Sequence, residues 1–312
     1  MRTVLFHRKY RRLHGGHLKV WHYFTHVLAA PGFEARVLFD IDSAWDASNP
    51  WHAAREQVIE RLDQVEPDLL FIAGRDWQRL DKLGLLDRGL PILNVIQHVR
   101  HADDWSIQSH YLSRKAIRIC VSQEVADAVA AAGSVGPIVV IPNGVDIPLE
   151  APDEGPRAVD LLIAGLKQPV LAKRTAAALA GSDRIIEVLT EHLPRETFLA
   201  LMRRARVTLF LPNEEEGFYL PALEGMALGT VVVCPDCVGN RSFCLPGFNA
   251  FRPEYDFEAL IAATELALVL PVAEREALLT GARETAGLHS LERERAAFHQ
   301  VLGEIDRLWA EG

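Results

Sequence analysis

Cysteine and long apolar runs are both scarce in this sequence, and each scarcity excludes a class of protein. Only four of the 312 residues are cysteines, which is too few for the disulfide framework of a small secreted domain. No apolar run is long enough to cross a bilayer. The first residues, MRTVLFHR, meet charge at once and contain no apolar h-region of a signal peptide. We therefore expect a cytoplasmic protein.

Basic residues are also fewer than acidic residues. The chain has 33 lysines and arginines against 42 acidic residues, a net charge of −9 at pH 7. Binding to nucleic acid calls for a broad basic face, so nucleic acid is not expected as a main partner. Hydrophobic residues make up 49% of the chain and charged residues 24%, as in ordinary folded proteins. The length exceeds a single core and favours two domains.

Strand-like apolar runs alternate with segments of helical spacing along the whole chain. This alternation predicts parallel sheets with helices on both faces. The predicted strands are residues 3–6, 35–39, 69–73, 92–96, 117–121 and 138–141, then 159–164, 184–189, 207–211 and 231–234. Helical spacing occurs over residues 53–65, 123–132, 170–180, 195–204, 220–228, 257–270 and 291–309.

A polar stretch with three prolines over residues 148–158 is typical of an interdomain linker. It predicts an N-terminal domain over residues 1–147 and a second domain over residues 159–286. The remaining residues, 287–312, hold the last helix, which has an apolar stripe along one side.

The strongest functional pattern lies in residues 213–229, which read NEEEGFYLPALEGMALG. The segment follows a predicted strand, turns at Gly217 and enters a helix with Pro221 in its first turn, where a missing N–H group costs nothing. Two carboxylates are eight residues apart, with Glu216 before the helix and Glu224 inside it.

The N–H groups between these carboxylates belong to Phe218, Tyr219 and Leu220. We expect them to point out of the helix N-terminus, which is a favourable place for a phosphate group. A phosphate site flanked by two carboxylates that accept hydroxyl hydrogens suits a ligand that contains both a diphosphate and sugars.

This pattern resembles the donor-site signature of the family-four retaining glycosyltransferases, in its Glu-x7-Glu spacing and in the residues next to Glu216 and Leu220. A second motif, IPNGVD at residues 141–146, resembles the segment by which those enzymes pass from one domain to the other. The resemblance implies an α/β protein with the GT-B fold, in which two Rossmann-like, doubly wound parallel-sheet domains face a cleft. It also implies that the C-terminal domain is shortened by one strand–helix unit and that the last helix crosses back to the N-terminal domain.

The resemblance assigns roles to the donor-side residues. Glu216 would contact the hydroxyl groups of the donor sugar, and Glu224 those of the ribose. Lys167 and Lys173 would hold the diphosphate together with the N–H groups of the turn, with Arg174 as an alternative second cation. Because enzymes of this kind use such cations in place of a metal, we expect neither a metal nor another cofactor. Two solvated surface lysines are the alternative interpretation.

Three residues of the N-terminal half also match the family. Gly15 and Gly16 resemble its paired-glycine loop, which approaches the donor phosphates and the acceptor. His98 follows a predicted strand, so it should lie at the edge of the sheet where open α/β sheets bind ligands. Many family members have a histidine there, and we predict His98 as a catalytic residue beside Glu216 and Lys173. A structural histidine is the alternative.

A basic cluster precedes the paired glycines. Arg8, Lys9, Arg11 and Arg12, with Lys19, stand out in an acidic protein. They suit a phosphate-bearing acceptor or the surface of an anionic membrane, which would make the protein peripheral to the inner face of the cell membrane. A solvated loop is the alternative.

Other positions depart from the family or compete with its chemistry. Tyr219 replaces a glycine that is usual in the phosphate turn, and Ser242 stands where a glutamate is frequent, so the identity of the sugar cannot be transferred from relatives. Cys234 and Cys237 form a C-x-x-C pair, for which packing by reduced cysteines is favoured over zinc binding or redox chemistry.

Together these features predict a metal-independent, hexosyltransferase-type enzyme of polysaccharide biosynthesis. It would transfer a sugar, with retained configuration, from a UDP-, GDP- or ADP-sugar to a hydroxyl of a glycan, a lipid-linked or a small-molecule acceptor. Two alternatives remain open. One is a GT-B module without catalytic activity that serves as a binding or scaffold domain in polysaccharide assembly. The other is a GT-B nucleotide-sugar epimerase.

Overall fold

The computed structural model describes residues 1–149, 157–181 and 183–312. These residues separate into two compact units. The first unit consists of Met1–Asn143 and Leu291–Gly312, and the second of Gly144–Ser290. Residues 150–156, most of the predicted linker, lie outside the described residues.

The first unit is built on a seven-stranded parallel sheet. Its strands are β1 (Arg2–Arg8), β2 (Phe33–Phe39), β3 (Val58–Ile59), β4 (Leu69–Ala73), β5 (Ile92–Ile96), β6 (Ile117–Cys120) and β7 (Ile138–Val140). The strand order is β3-β2-β1-β4-β5-β6-β7, so the direction of winding reverses between β1 and β4. Open α/β sheets bind ligands at the carboxyl ends of the strands that flank such a reversal.

The second unit repeats this plan on a smaller scale. Its strands are β8 (Val159–Ala164), β9 (Ile186–Leu189), β10 (Ala205–Phe210) and β11 (Val231–Val233). They form a parallel sheet in the order β11-β10-β8-β9, which reverses between β8 and β10. All four strands correspond to runs that the sequence predicts. A fold of two parallel sheets with helices is confirmed.

Ten α-helices occur in the described parts of the chain. They are α1 (Gly15–Leu28), α2 (Asp76–Lys82), α3 (Gln123–Ala131), α4 (Pro169–Leu179), α5 (Arg195–Arg204), α6 (Leu220–Ala227), α7 (Phe257–Leu268), α8 (Val272–Leu288), α9 (Leu291–Gly303) and α10 (Ile305–Glu311). None of the helices in the described ranges combines the length and the apolar character needed to cross a membrane.

Helical spacing misleads at two places. Residues 53–65 are not an α-helix, because they contain the end of a 3-10 helix (Pro50–Gln57), strand β3 and a second 3-10 helix (Leu62–Gln64). The β-branched pair in β3 extends the sheet by pairing with β2, which outweighs the local helical pattern. The single predicted helix over residues 291–309 is interrupted at Glu304, between α9 and α10.

The core of the second unit shows how the sheet is buried. Alternate residues of three strands face the same layer of helices, as the two-residue period of a strand requires. These pairs are Leu161 and Ile163, Val207 and Leu209, and Val231 and Val233. They pack with buried residues of α4, α7 and α8. A hydrophobic layer therefore fixes the sheet edge from which the turns after β8 and β10 emerge.

Helix α9 is fastened to α1 inside the first unit by charge as well as by apolar packing. Phe298 is buried against the ring of Tyr23, with the two centroids 4.9 Å apart. Beside it, the Lys19 ammonium forms an ion pair with Glu294, whose other oxygen lies 3.1 Å from Nε2 of His26. All three charged or polar side chains are almost completely buried. The ion pair therefore forms out of contact with water.

Replacing Lys19 tests this attachment. In Lys19→Met the Glu294 carboxylate loses its cation while it stays buried, which should lower the free energy of unfolding of the first unit by about 3–5 kcal/mol. Urea unfolding followed by tryptophan fluorescence measures this selectively, because all six tryptophans lie within residues 1–143 and 291–312.

Arg307→Met is the control for this experiment. Arg307 forms exposed ion pairs with Glu304 and Glu311 in α10, so its loss should leave the unfolding midpoint unchanged within error. Equal midpoints for Lys19→Met and the parent protein would show that the buried ion pair does not hold α9 in place.

Candidate functional site

The turns that follow β8 and β10 meet at the reversal point of the second sheet. Gly165 opens the first turn, and a Cβ atom there would lie 2.2 Å from Cβ of Ala172 in α4. Only a glycine therefore lets α4 pack this close to the end of β8. Lys167 follows in the same turn, and its ammonium forms an ion pair with Oε1 of Glu216 in the turn after β10. The predicted diphosphate cation and the predicted sugar-binding carboxylate are thus brought together.

The surroundings of this ion pair decide how strongly it holds. The backbone N–H of Asn213 also donates to Oε1 of Glu216, at 3.2 Å, and the Lys167 ammonium lies 5.5 Å from the ring centroid of Tyr219. The Lys167 side chain is 39% exposed, whereas that of Glu216 is 13% exposed. Ion pairs with a solvated partner contribute about 0–1 kcal/mol. A ligand with several negative charges can therefore compete for the lysine.

The N–H groups of the turn are not all open to a ligand. Tyr219 donates its N–H to the carbonyl oxygen of Gly239 at 2.8 Å, and Leu220 donates to the carbonyl oxygen of Phe218 at 3.1 Å. The expectation that both N–H groups point out of the helix is therefore wrong. Helix α6 does end as predicted, because Gly229 takes a left-handed conformation, with φ of 68°, directly after the capping residue Leu228.

Gly239 is a residue of this site that the sequence did not reveal. A Cβ atom at Gly239 would lie 2.8 Å from the carbonyl oxygen of Glu216 and 2.9 Å from the nitrogen of Phe218. The loop after β11 therefore closes over the turn of residues 216–218 only because it has glycine at this position. The signal available in the sequence was a glycine a few residues beyond a strand end.

The two aromatic side chains of the turn are buried. The Phe218 ring stacks on Phe243, with centroids 5.0 Å apart, and lies 5.6 Å from the ring of His289. Tyr219 is buried near Phe210, and its burial raises the pKa of the phenol well above the usual value. The tyrosine that replaces the usual glycine is thus accommodated in the interior of the second unit.

Glu224 is the most buried carboxylate of the motif. Its side chain is 7% exposed, and its Oε1 accepts a hydrogen bond from Nη2 of Arg195 at 2.6 Å. Arg195 is the first residue of α5. Sequence analysis missed it, although a cation at the first position of a helix opposes the helix dipole and so indicates a nearby anion.

The two other predicted cations differ from each other. Lys173 lies in the second turn of α4, is exposed, and has no ion pair within the described ranges of the chain. The guanidinium of Arg174 lies 3.7 Å from the ring centroid of Phe257 at the start of α7. Lys173 is therefore more available to an anionic ligand than Arg174, the alternative.

The C-x-x-C pair lies in the loop that contains Gly239. Cys234 and Cys237 are free thiols and almost completely buried. A hydrogen bond with Cys234, together with burial, raises the pKa of Cys237, and burial raises the pKa of Cys234. The protonated thiols are thereby favoured over the thiolates that bind metals or react with oxidants. Among the described residues, no three His, Cys, Asp or Glu side chains are grouped to hold a metal ion.

The basic cluster of the first unit is largely neutralised by acidic side chains. Arg8 is not in a loop, because it is the last residue of β1 and is buried with its Nη1 atom 2.7 Å from Oδ2 of Asp76. Lys9 and Arg11 both pair with Asp42, at 2.7 and 2.8 Å.

Two cations remain to be placed. Lys19 is buried against Glu294, and Arg12 is exposed, with no ion pair in the parts of the chain that the structure describes. The expected surplus of positive charge is therefore reduced, because Asp42, Asp76 and Glu294 pair with four of the five cations.

The remaining predicted residues lie along the carboxyl edge of the first sheet. Gly15 and Gly16 are the first two residues of α1 and so lie in a helix, not in a loop, and neither has a positive φ. Nε2 of Gln97 donates to the carbonyl oxygen of Gly16 at 3.4 Å. His98 follows, half-buried, and its Nδ1 accepts the N–H of Arg100 at 3.1 Å. The glycines and His98 are thus brought to neighbouring positions.

His17, in the first turn of α1, joins the cluster at the reversal point of the first sheet. Its Nδ1 lies 2.7 Å from Nη2 of Arg8, and Nδ1 of His7 lies 3.2 Å from Oδ1 of Asp76. Burial, with the charges of Arg8 and His14, lowers the pKa of His17 to about 3. The imidazole of His17 is therefore neutral at neutral pH and accepts a hydrogen bond from the guanidinium.

Comparison with known proteins finds similarity to one family over part of this chain. Residues 131–268 match the family described as "Glycosyl transferases group 1". A curated relative, the D-inositol 3-phosphate glycosyltransferase of Geodermatophilus obscurus, is 32% identical over 140 residues. That match covers 41% of this chain and 27% of the relative, so it spans about a quarter of the relative's length.

Solved structures match nearly the whole chain. Anabaena Alr3699/HepE in complex with UDP and glucose has a TM-score of 0.76 at 14% identity, over 97% of this chain and 100% of its own. The same protein in complex with UDP-glucose has a TM-score of 0.75 at 15% identity, with the same coverage. Sucrose-phosphate synthase from Thermosynechococcus elongatus has a TM-score of 0.73 at 14% identity, over 98% of this chain and 100% of its own. At these identities the likeness shows the fold alone.

The pKa of His17 predicts a pH dependence of stability. Because the folded-state pKa of about 3 lies below the ordinary value of 6.5, the unfolded chain binds more protons between these pH values. The contribution of His17 is therefore fully present above pH 6.5 and is lost as the pH falls towards 3. In His17→Gln, stability should decline less steeply between pH 6.5 and 4, by up to about 1.4 kcal/mol per pH unit.

Urea unfolding followed by tryptophan fluorescence at several pH values measures this slope for the first unit. The exposed His110, changed to Gln, is the control and should leave the slope as it is in the parent protein. If His17→Gln lowers stability by the same amount at every pH, His17 is not held neutral by the fold.

Proposed function

We propose that this chain, which has the GT-B fold and matches the group 1 glycosyl transferases over residues 131–268, transfers a sugar from a nucleoside diphosphate sugar to a hydroxyl group. The observation that supports this most directly is the ion pair between Lys167 and Glu216 at the reversal point of the second sheet. It joins a cation suited to a diphosphate and a carboxylate suited to sugar hydroxyls, at the edge where such sheets bind nucleotides.

The chemistry follows from the charge that develops during transfer. The departing nucleoside diphosphate gains negative charge in the transition state, and preorganised cations lower the barrier by stabilising it. Lys167 and Lys173 are the proposed cations, so that no metal ion is required. As the diphosphate binds, Lys167 exchanges Glu216 for phosphate oxygens, and the Glu216 carboxylate becomes available to the donor sugar.

Retention of configuration is part of the proposal. No side chain is assigned as a strong base, and the departing phosphate oxygen accepts the proton of the acceptor hydroxyl on the same face of the sugar. Glu224 accepts hydrogen bonds from the ribose. In the first unit, His98 is proposed to hydrogen-bond a ligand hydroxyl at the carboxyl edge of the sheet, where Gly15 and Gly16 let the backbone come close.

The donor and the acceptor are constrained to different degrees. UDP-glucose is the first donor to test, because Anabaena Alr3699/HepE binds it, and GDP- and ADP-sugars are the next. The acceptor is proposed as a hydroxyl compound without a required phosphate. Since Asp42, Asp76 and Glu294 pair with four of the five cations of the basic cluster, the argument for a phosphate-bearing acceptor or an anionic membrane is weakened.

A binding module without catalysis is the second candidate. The N–H of Tyr219 is engaged by Gly239, and the Tyr219 side chain stands where the family usually has glycine. Both features weaken the turn as a phosphate site, because one N–H donor is already used and a side chain is present where the family has none. Binding of a nucleotide sugar without turnover would favour this candidate.

Removal of Lys167 tests the proposed transferase. Donor hydrolysis and transfer are measured with UDP-, GDP- and ADP-sugars, with and without EDTA, over a panel of glycan and small-molecule acceptors. The parent protein should turn over at least one donor in EDTA. Lys167→Met should lose about a hundredfold in kcat, the scale for losing one preorganised charge.

Lys82→Met is the matched control, since Lys82 is an exposed lysine at the end of α2 in the first unit. It should retain the parent's kcat. Parent-like kcat in Lys167→Met, or a strict need for a divalent metal, would contradict the proposed mechanism.

The stereochemistry of the product is a separate prediction. Proton NMR of the first product formed should show the anomeric configuration of the donor sugar. An inverted anomer at early times, before any mutarotation, would exclude the retaining mechanism while leaving the transferase activity intact.

A further inference from the structure

Glu224 needs a compensating cation because of where the fold places it. Its side chain is 7% exposed in α6. A carboxylate in such a place loses hydration, and without an opposite charge its pKa rises until it binds a proton. A protonated carboxyl group would accept hydrogen bonds from ribose hydroxyls more weakly than the charged carboxylate does.

Arg195 supplies this cation from another helix. Its Nη2 atom lies 2.6 Å from Oε1 of Glu224, within the range of a short, charge-assisted hydrogen bond. The Arg195 side chain is 23% exposed, so it reaches from near the surface to the buried carboxylate. Arg195 has a second acidic neighbour, Glu196, whose side chain is 84% exposed and whose Oε1 lies 3.9 Å from Nη1 of Arg195. The contact with Glu224 is therefore the stronger one.

The location of Arg195 in the chain supports a specific role. It is the first residue of α5 and follows Pro194, at the helix end where the dipole disfavours cations. The ion pair with Glu224 gives a physical reason for an arginine at this position. The same pair fixes the carboxyl end of β9 and the loop after it relative to α6, because α5 begins directly behind that loop.

We propose that Arg195 is a positioning residue for nucleotide recognition. It keeps Glu224 ionised and fixes one carboxylate oxygen, so that the carboxylate is presented to the ribose hydroxyls of the bound nucleotide. This inference rests on the proposed function, in which Glu224 binds the ribose. Arg195 acts through Glu224 and not through contact with the reacting atoms.

The test compares a ribonucleotide with its 2′-deoxy counterpart. The nucleoside diphosphate that binds most tightly among UDP, GDP and ADP is titrated calorimetrically into the full chain, and the titration is repeated with the matching 2′-deoxynucleoside diphosphate. In the parent protein the deoxy form should bind about ten- to a hundredfold more weakly, as expected for loss of a hydrogen bond to a charged group. In Arg195→Met this ratio should fall below about threefold, because Glu224 no longer presents a fixed acceptor.

Three further variants make the ratio interpretable. Arg204→Met removes the last arginine of the same helix, which pairs with Glu187 on the surface, and should keep the parent's ratio. Arg195→Lys retains the charge and should give an intermediate ratio, which provides the test if Arg195→Met does not fold. In Glu224→Gln the two nucleotides should bind almost equally, so the ratio should fall to about one. The double variant Glu224→Gln/Arg195→Met should give the same ratio.

The outcomes separate the inference from the function on which it rests. A parent-like ratio in both Arg195→Met and Arg195→Lys overturns the positioning role, even if both variants melt earlier or bind both nucleotides more weakly. A purely structural role would weaken the two nucleotides equally and leave the ratio intact. If the parent protein binds none of the nucleoside diphosphates, the proposed function fails, and the inference fails with it.

Discussion

Parallel pairing of the strands is the constraint on which the candidate sites depend. In a parallel sheet all strands end at one edge, and a reversal of strand order leaves room there between two neighbouring turns. The reversal between β8 and β10 brings Lys167 and Glu216 together from positions 49 residues apart. The reversal between β1 and β4 does the same for Arg8 and Asp76. Each unit thus gathers its charged groups by topology, before any single contact is considered.

Burial of charge is the second recurring feature. Asp76, Glu224 and Glu294 are all nearly inaccessible to solvent, and each is met by a cation that is distant in sequence. A buried carboxylate without such a partner would be strongly destabilising. The requirement explains why two cations of the basic cluster of the first unit are withdrawn from the surface. Arg8 and Lys19 offset acidic groups inside the fold, and Lys9 and Arg11 are held by Asp42 at the surface.

The sequence was sufficient for features that depend on local pattern. Apolar runs located the sheet strands apart from the two-residue β3, and the carboxylate spacing with Pro221 and Gly229 located the strand, turn and helix of the motif. It was insufficient wherever a distant residue decides the outcome. The captured N–H of Tyr219 depends on Gly239, and the partner of Glu224 lies 29 residues away in α5. The helical pattern of residues 53–65 also gave way to a sheet pairing with β2. No local pattern encodes such pairings.

The two ion pairs of the motif differ in a way that suits different tasks. Lys167 is 39% exposed, so water and ions can replace its contact with Glu216 at little cost. Arg195 and Glu224 are 23% and 7% exposed, so breaking their contact would leave the buried Glu224 carboxylate without a cation and with little solvation. The first pair can therefore be exchanged when an anionic ligand arrives, whereas the second persists through binding. In the proposed transferase, an exchangeable contact serves the diphosphate, which must enter and leave in every cycle. The persistent contact serves the ribose, for which the protein needs a fixed acceptor.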